Sequence, residues 1–150
     1  MPFGVHNILM RFHIRSLGAR RRDCVFAVLS WLPGAGLPAD TSLREAMRRA
    51  EAQRDEALRA GDQPFGAVVL HGGVIVGAAP SRVVTTTDPT AHAEMEAIRD
   101  AARRMRTRDL SGAVLVSTSR PCRMCEAAAS RAGISRMVYG ESLADAGAPQ

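Results

Sequence analysis

Asp88-Pro89-Thr90-Ala91-His92-Ala93-Glu94 and, thirty residues beyond His92, Pro121-Cys122-Arg123-Met124-Cys125 are the stretches whose reading decides this chain. One imidazole, two thiols and a carboxylate beside them have the makings of a metal centre. Three protein ligands leave the fourth tetrahedral position of such a centre open to water. Cys122 and Cys125 lie one helical turn apart, so both sulfurs can reach one ion from the first turn of a helix. Pro121 suits the first helical position, where its missing N–H costs nothing. A helix N-terminus also favours negative charge, which helps to hold the cysteines as thiolates. His92 is expected at the start of another helix, with Asp88 as N-cap and Pro89 just after it.

Zinc is the ion these donors suit, one per chain, with His92, Cys122 and Cys125 as ligands. Two thiolates cancel its charge, and a lowered pKa of bound water supplies a nucleophile near neutral pH. Glu94 is the acidic residue beside the ligand set, and general acid–base transfer is the role it fits. A Cys-x-x-Cys pair also occurs in structural zinc knuckles and in redox dithiols. A closed structural site needs a fourth ligand, and Cys24, His6, His13 and His71 lack ligand spacing to either cluster. Cys24 reads instead as a small hydrophobe.

Outward from the two clusters, the chain divides. Residues 1–40 mix scattered hydrophobics, the run Arg20-Arg21-Arg22, and an apolar stretch over 25–32 closed by Pro33-Gly34-Ala35-Gly36. That stretch is too short to span a membrane. It faintly resembles a secretory signal, but it begins late and lacks a small-residue cleavage site. The expectation is a poorly ordered N-terminal extension, a domain over 41–150, and a cytoplasmic protein without membrane attachment.

From Ser42 the pattern is orderly. Leu43, Ala46, Met47, Ala50, Ala57 and Leu58 fall at helical spacing, with Gly61 as a stop. Strands over 66–70 and 74–79 form a hairpin about His71-Gly72-Gly73. A loop containing Thr85-Thr86-Thr87-Asp88-Pro89 leads to a helix running to about Arg106. A strand over 113–118, the Cys122 helix and a strand over 136–139 complete the order. These elements predict an α/β fold, a mixed sheet flanked by helices, with both metal-bearing helix starts at one edge.

Composition bounds the rest. The 150 residues suit one domain with a real core, and 46% hydrophobic with 23% charged residues is ordinary for a globular chain. Aromatics make up only 4%, so the core must rest on Ala, Val, Leu, Ile and Met. Three cysteines are no disulfide framework and suit a reducing compartment. The net charge of +5 comes mostly from residues 1–40, where five Arg oppose two Asp, giving +3 and leaving +2 for the remainder. Bulk charge therefore does not demand a nucleic-acid partner.

Three stretches, Pro64-Phe65-Gly66-Ala67-Val68-Val69, Asp88 through Glu94, and Pro121 through Cys125, together resemble the cytidine and deoxycytidylate deaminase superfamily. His-x-Glu followed by Pro-Cys-x-x-Cys is the signature of zinc nucleobase deaminases. The likeness is strongest to the branch holding guanine deaminases, yeast-type cytosine deaminases and bacterial tRNA adenosine deaminases. It implies a three-layer α/β/α cytidine-deaminase-like sandwich, zinc on His92, Cys122 and Cys125, Glu94 as proton shuttle, and a homodimer. It also implies substrate contacts from Phe65, Ala91 and the position of Ser81.

The resemblance favours a small-molecule base or nucleoside as substrate, guanine first. Free-base deaminases tend to have Phe where this chain has Phe65, and tRNA enzymes a smaller aliphatic residue. The tRNA enzymes also tend to end in a basic helix, whereas residues 141–150 are short and acidic. Three positions depart from the family pattern. Ser81 stands where relatives have a substrate-contacting Asn, and a hydroxyl has fewer donors and a shorter reach than a carboxamide. Arg120 replaces the usual Glu before the Pro-Cys, and the C-terminal helix of relatives is missing. Two other readings follow: a tRNA adenosine deaminase forming inosine, and a zinc-binding deaminase-like domain without activity.

Overall fold

The computed structural model describes residues 39–150. The reading of residues 1–38 as part of an extension, including Cys24, His6, His13 and the Arg run, lies outside the described residues. Helix α1 (Ala39–Arg59) is followed by β1 (Gly66–His71), β2 (Val74–Pro80), α2 (Ala93–Met105), β3 (Val114–Ser117), α3 (Arg123–Arg131), β4 (Arg136–Tyr139) and β5 (Ala144–Gly147). The strands form one mixed sheet in the order β2-β1-β3-β4-β5. β1 pairs antiparallel with β2 and β3, β3 runs parallel to β4 across the α3 crossover, and β5 returns antiparallel to β4.

Alternation along the strands builds two cores. Ala67 and Val69 of β1, Leu115 of β3 and Met137 of β4 pack with Ala93, Ala97 and Ala101 of α2 and Ala129 of α3. Val68, Leu70 and Val116 point to the other face, against Ala46, Met47 and Ala50 of α1. The result is the α/β/α sandwich with its mixed sheet. No buried core residue described is aromatic, as the composition foretold. Leu58, read as part of the buried face of α1, is 54% exposed, because Ala57 takes the inward position one residue earlier.

Two glycines set the helix–sheet distances. A Cβ on Gly66 would lie 2.0 Å from the Ala50 carbonyl oxygen of α1. One on Gly77 would lie 2.5 Å from the Ala97 oxygen and 2.6 Å from the Ala101 nitrogen of α2. Both helices therefore press on bare backbone, which only glycine allows. The small residues of α2 continue this close approach towards its N-terminus, where His92 and Glu94 sit.

Three local expectations need correction. Asp88 does not cap α2: its Oδ1 accepts the Thr90 N–H at 2.8 Å and the Thr90 hydroxyl at 2.7 Å, closing a turn, and His92 is the N-cap. Pro121 is not the first helical residue, since Cys122 holds the N-cap of α3 in extended conformation. Residues 141–150 also contain a strand, β5, that the sequence reading left out. Its Ala-Asp-Ala-Gly text has no β-propensity. Pairing with β4, packing of Ala146 on the core, and the Asp145 carboxylate accepting from Arg136 Nε at 3.0 Å hold it in place.

Candidate active site and metal centre

The two helices bring their N-termini to the same end of the sheet. His92 is the N-cap of α2, and Cys122, a few residues beyond the C-terminal end of β3, is the N-cap of α3. Cys125 lies in the first turn of α3 and is fully buried, while Cys122 is exposed. His92 Nδ1 stands 3.8 Å from Cys122 Sγ and 3.7 Å from Cys125 Sγ, and the two sulfurs are 3.7 Å apart. An ion held tetrahedrally by bonds of roughly 2.3 Å to sulfur needs sulfur–sulfur edges of roughly 3.8 Å. The three donors thus match zinc in type and spacing, and among the described residues they are the cluster that meets metal-ligand geometry.

Electrostatics point the same way. Burial, then the Glu94 carboxylate and the neighbouring Cys122, push the Cys125 thiol far above its ordinary range. A thiolate at that place needs a cation, and a divalent ion among the three donors reverses the local balance. The residues present therefore fit a zinc ion.

Glu94 occupies the first turn of α2 and is 4% exposed. Its Oε2 accepts from the Cys125 thiol at 3.7 Å, and its Oε1 accepts the Ser117 hydroxyl at 2.9 Å. Ser117, the last residue of β3, is wholly buried, and its oxygen also receives the Ser119 N–H at 3.5 Å. Glu94 is thus beside the ligand cluster but held by the sheet. Ser117 escaped the sequence reading; the one signal was a hydroxyl ending an otherwise aliphatic strand, Val-Leu-Val-Ser.

Backbone hydrogen bonds tie the segments of Phe65, Ser81 and Ala91 together, and Ala91 directly precedes His92. The Ser81 N–H donates to the Phe65 carbonyl at 3.0 Å, and the Arg82 N–H to the Ala91 carbonyl at 2.9 Å. Phe65 is 36% exposed, whereas Ser81 and Ala91 are buried. The Ser81 hydroxyl donates to Asp62 Oδ1 at 2.9 Å, so its one proton is already engaged. Asp62, in the turn after α1, was the second residue missed. Cys122 itself, with Arg120, Pro121, Arg123, Glu126 and Gln150, lines a cavity of about 620 Å³.

A three-donor metal site with a carboxylate beside it, set on paired helix N-termini of an α/β/α sandwich, defines a zinc-binding domain of the deaminase type. Residues 40–141 match the family described as the cytidine and deoxycytidylate deaminase zinc-binding region, and the chain belongs to that family. Over 98 residues it is 39% identical to a tRNA-specific adenosine deaminase of Aquifex aeolicus, covering 65% of this chain and 60% of that one. Over 123 residues it is 43% identical to a tRNA(Ile)-lysidine synthase of Deinococcus deserti, covering 79% of this chain and 23% of that one. The chain thus spans less than two thirds of either relative's length. The X-ray structure of guanine deaminase from Bacillus subtilis superposes with a TM-score of 0.61 at 34% identity, over 69% of this chain and 64% of that one. No helix among the described residues is long and apolar enough to cross a membrane.

Proposed function

We propose that this chain hydrolyses the exocyclic amine of a nucleobase, with guanine as the leading substrate, replacing the amino group by a carbonyl oxygen and releasing ammonia. The observation that carries the reading is Glu94, buried beside the His92, Cys122 and Cys125 cluster and fixed by Ser117 at 2.9 Å. Zinc, when bound by those three residues, supplies the Lewis acidity that brings the pKa of water towards neutrality. Glu94 takes the proton of the attacking water, passes it to the ring nitrogen, and assists departure of the amine. The hydrogen bond from Ser117 holds Oε1, and Oε2, the oxygen on the Cys125 side, is the one that moves the proton. Phe65, partly exposed, is the aromatic assigned to stack on a planar base, and Ala91, buried next to His92 in the chain, is assigned a contact with it.

The test is ammonia release by the zinc-loaded chain from guanine, cytosine, adenine, their nucleosides and a tRNA anticodon stem-loop. Glu94→Gln is expected to keep one zinc per chain and lose turnover by at least about 100-fold. Full activity in that variant refutes the mechanism. Silence of the wild-type protein across the panel, with zinc bound, selects a deaminase-like domain without activity. A homodimer and a cytoplasmic location belong to the same proposal; sedimentation of the zinc-loaded chain as a monomer removes the dimer.

One observation favours a second reading, deamination of adenosine in tRNA. Arg120 and Arg123 flank Cys122 and line the adjacent cavity, and neither makes an ion pair among the described residues. Two unpaired guanidinium groups beside a metal ligand suit a phosphate. Binding of the stem-loop that weakens steeply with salt, together with inosine formation, selects this reading over guanine.

A further inference from the structure

Away from the metal donors, one carboxylate organises the neighbouring segments. Asp62 Oδ1 accepts the Gln63 N–H at 2.8 Å and the Ser81 hydroxyl at 2.9 Å. Its Oδ2 accepts the Val84 N–H at 3.0 Å, the Thr85 N–H at 2.8 Å and the Thr85 hydroxyl at 2.9 Å. Five donors on one carboxylate leave it fully engaged although it is only 7% exposed. Asp62 is itself anchored to α1, its N–H donating to the Ala57 carbonyl at 2.9 Å.

The loop so gripped, residues 82–87, leads directly to the metal site. Arg82 bonds the Ala91 carbonyl, one residue before His92, and Asp88 N–H donates to the Val83 carbonyl at 3.2 Å. The same loop contains Thr87 at φ +54°. A β-branched residue in the left-handed region is strained and persists only where the surroundings over-determine it. The Asp62 bonds supply that determination two residues upstream.

We propose that Asp62 is a positioning residue for the candidate site: its carboxylate fixes the 82–87 loop, and thereby the seat of His92 and of the Phe65 and Ala91 segments, and it withdraws the Ser81 hydroxyl from direct contact with the substrate. Ser81 then acts as part of an Asp62–Ser81 unit, not as a shortened copy of the family's carboxamide. The turnover arm of this inference rests on the deaminase reading; its structural arms do not.

The test uses the full chain loaded with zinc for kinetics and with cobalt(II) for spectroscopy. Asp62→Ala removes all five acceptor contacts. Asp62→Asn is isosteric, but its NH2 group must face an amide donor whichever way it turns; it serves where the alanine variant does not fold. The expected result is amide exchange accelerated at least about 10-fold at Val84 and Thr85. A shifted cobalt absorption band should report altered ligand geometry at His92. For guanine, kcat/KM should fall by about 10- to 100-fold, the range that a small misplacement produces. Ser81→Ala, which deletes one of the five bonds, should cost less than either Asp62 variant. Unmoved cobalt bands and unchanged kcat/KM in a folded Asp62 variant overturn the proposal. So does a Ser81→Ala variant whose rise in KM equals that of Asp62→Ala, since Ser81 then touches the substrate itself. If wild-type protein deaminates no base but the exchange and cobalt signals respond to Asp62, the deaminase reading fails and the positioning role stands.

Discussion

Removing the Ser117 hydroxyl is the most economical probe of how the sheet serves the chemistry. Ser117 is 0% exposed and donates to Glu94 Oε1 at 2.9 Å, so Ser117→Ala leaves a buried carboxylate oxygen without its donor. A hydrogen bond to a charged group contributes about 1.5–3 kcal/mol, the larger part arising when the charged partner is stranded. If the whole of that acts on Glu94 during proton transfer, kcat falls by about 10- to 100-fold, since each 1.36 kcal/mol is tenfold. The same loss lowers the melting temperature by on the order of 10 °C in a domain of this size. The assay is guanine turnover at saturation, with zinc content and thermal melting measured on the same preparations. Ser117→Thr keeps the hydroxyl and should retain most of kcat even where its added methyl costs stability. A Ser117→Ala enzyme that melts earlier but keeps kcat within about twofold refutes the argument, because the bond then stabilises the fold without orienting Glu94.

Other consequences can be checked on the same protein. Gly66→Ala drives a Cβ to 2.0 Å from the Ala50 oxygen, backbone against backbone; a loss of about 3 kcal/mol or more in urea unfolding is expected, beyond ordinary overpacking. Burial works to raise the Asp62 carboxyl, but bonds from the Thr85 and Gln63 amides and the Thr85 and Ser81 hydroxyls outweigh it and lower its pKa from 3.8 to about 2. The unfolded chain therefore takes up that proton first, so the stabilisation is complete above the unfolded pKa and fades as pH falls through the folded one. Urea melts of metal-free wild type and Asp62→Asn should differ at pH 5 and converge towards pH 2; a constant gap contradicts the linkage. Should the RNA reading hold, the Arg120→Glu, Arg123→Glu double variant should reduce the log–log salt slope of stem-loop binding by about 1 to 2; an unchanged slope removes the two arginines from the phosphate contacts.

What the sequence made legible follows from what each residue's chemistry depends on. His92, Cys122, Cys125 and Glu94 announce themselves because donor identity and short spacing carry the signal, and the strands of the β1–β2 hairpin because aliphatic runs flank a Gly-Gly turn. β5 did not, because its pairing with β4 is set by tertiary context over an Ala-Asp-Ala-Gly text. Asp62 and Ser117 were illegible for a different reason. Their partners lie between 19 and 23 residues away in the chain, and no local pattern links a turn carboxylate to a distant threonine, or a strand-end serine to a helical glutamate. The N-caps were misplaced because Asp and Pro are strong local signals, yet the Asp88 side chain is taken up by Thr90 and the N-cap, His92, falls four residues later.

The scarcity of aromatics, read at first only as a statement about the core, bears on the site as well. With Ala93, Ala97 and Ala101 facing the sheet and Gly77 opposite them, α2 lies closer to the strands than bulky side chains would permit. Close packing fixes the helix axis, because atoms in van der Waals contact on a dense interior cannot slide without opening voids. His92 and Glu94 sit at the end of that axis, and Ser117 ties Glu94 to β3, the strand from which the chain leads to Cys122 and Cys125. The distances among the three donors are therefore set by how tightly two small-residue helices are pressed to one sheet. On this argument Gly77→Ala, which touches α2 at Ala97 and Ala101, should move the helix and weaken zinc binding along with stability. A variant that loses stability but binds zinc with unchanged affinity would show that the donors are placed by their own loops and not by the helix.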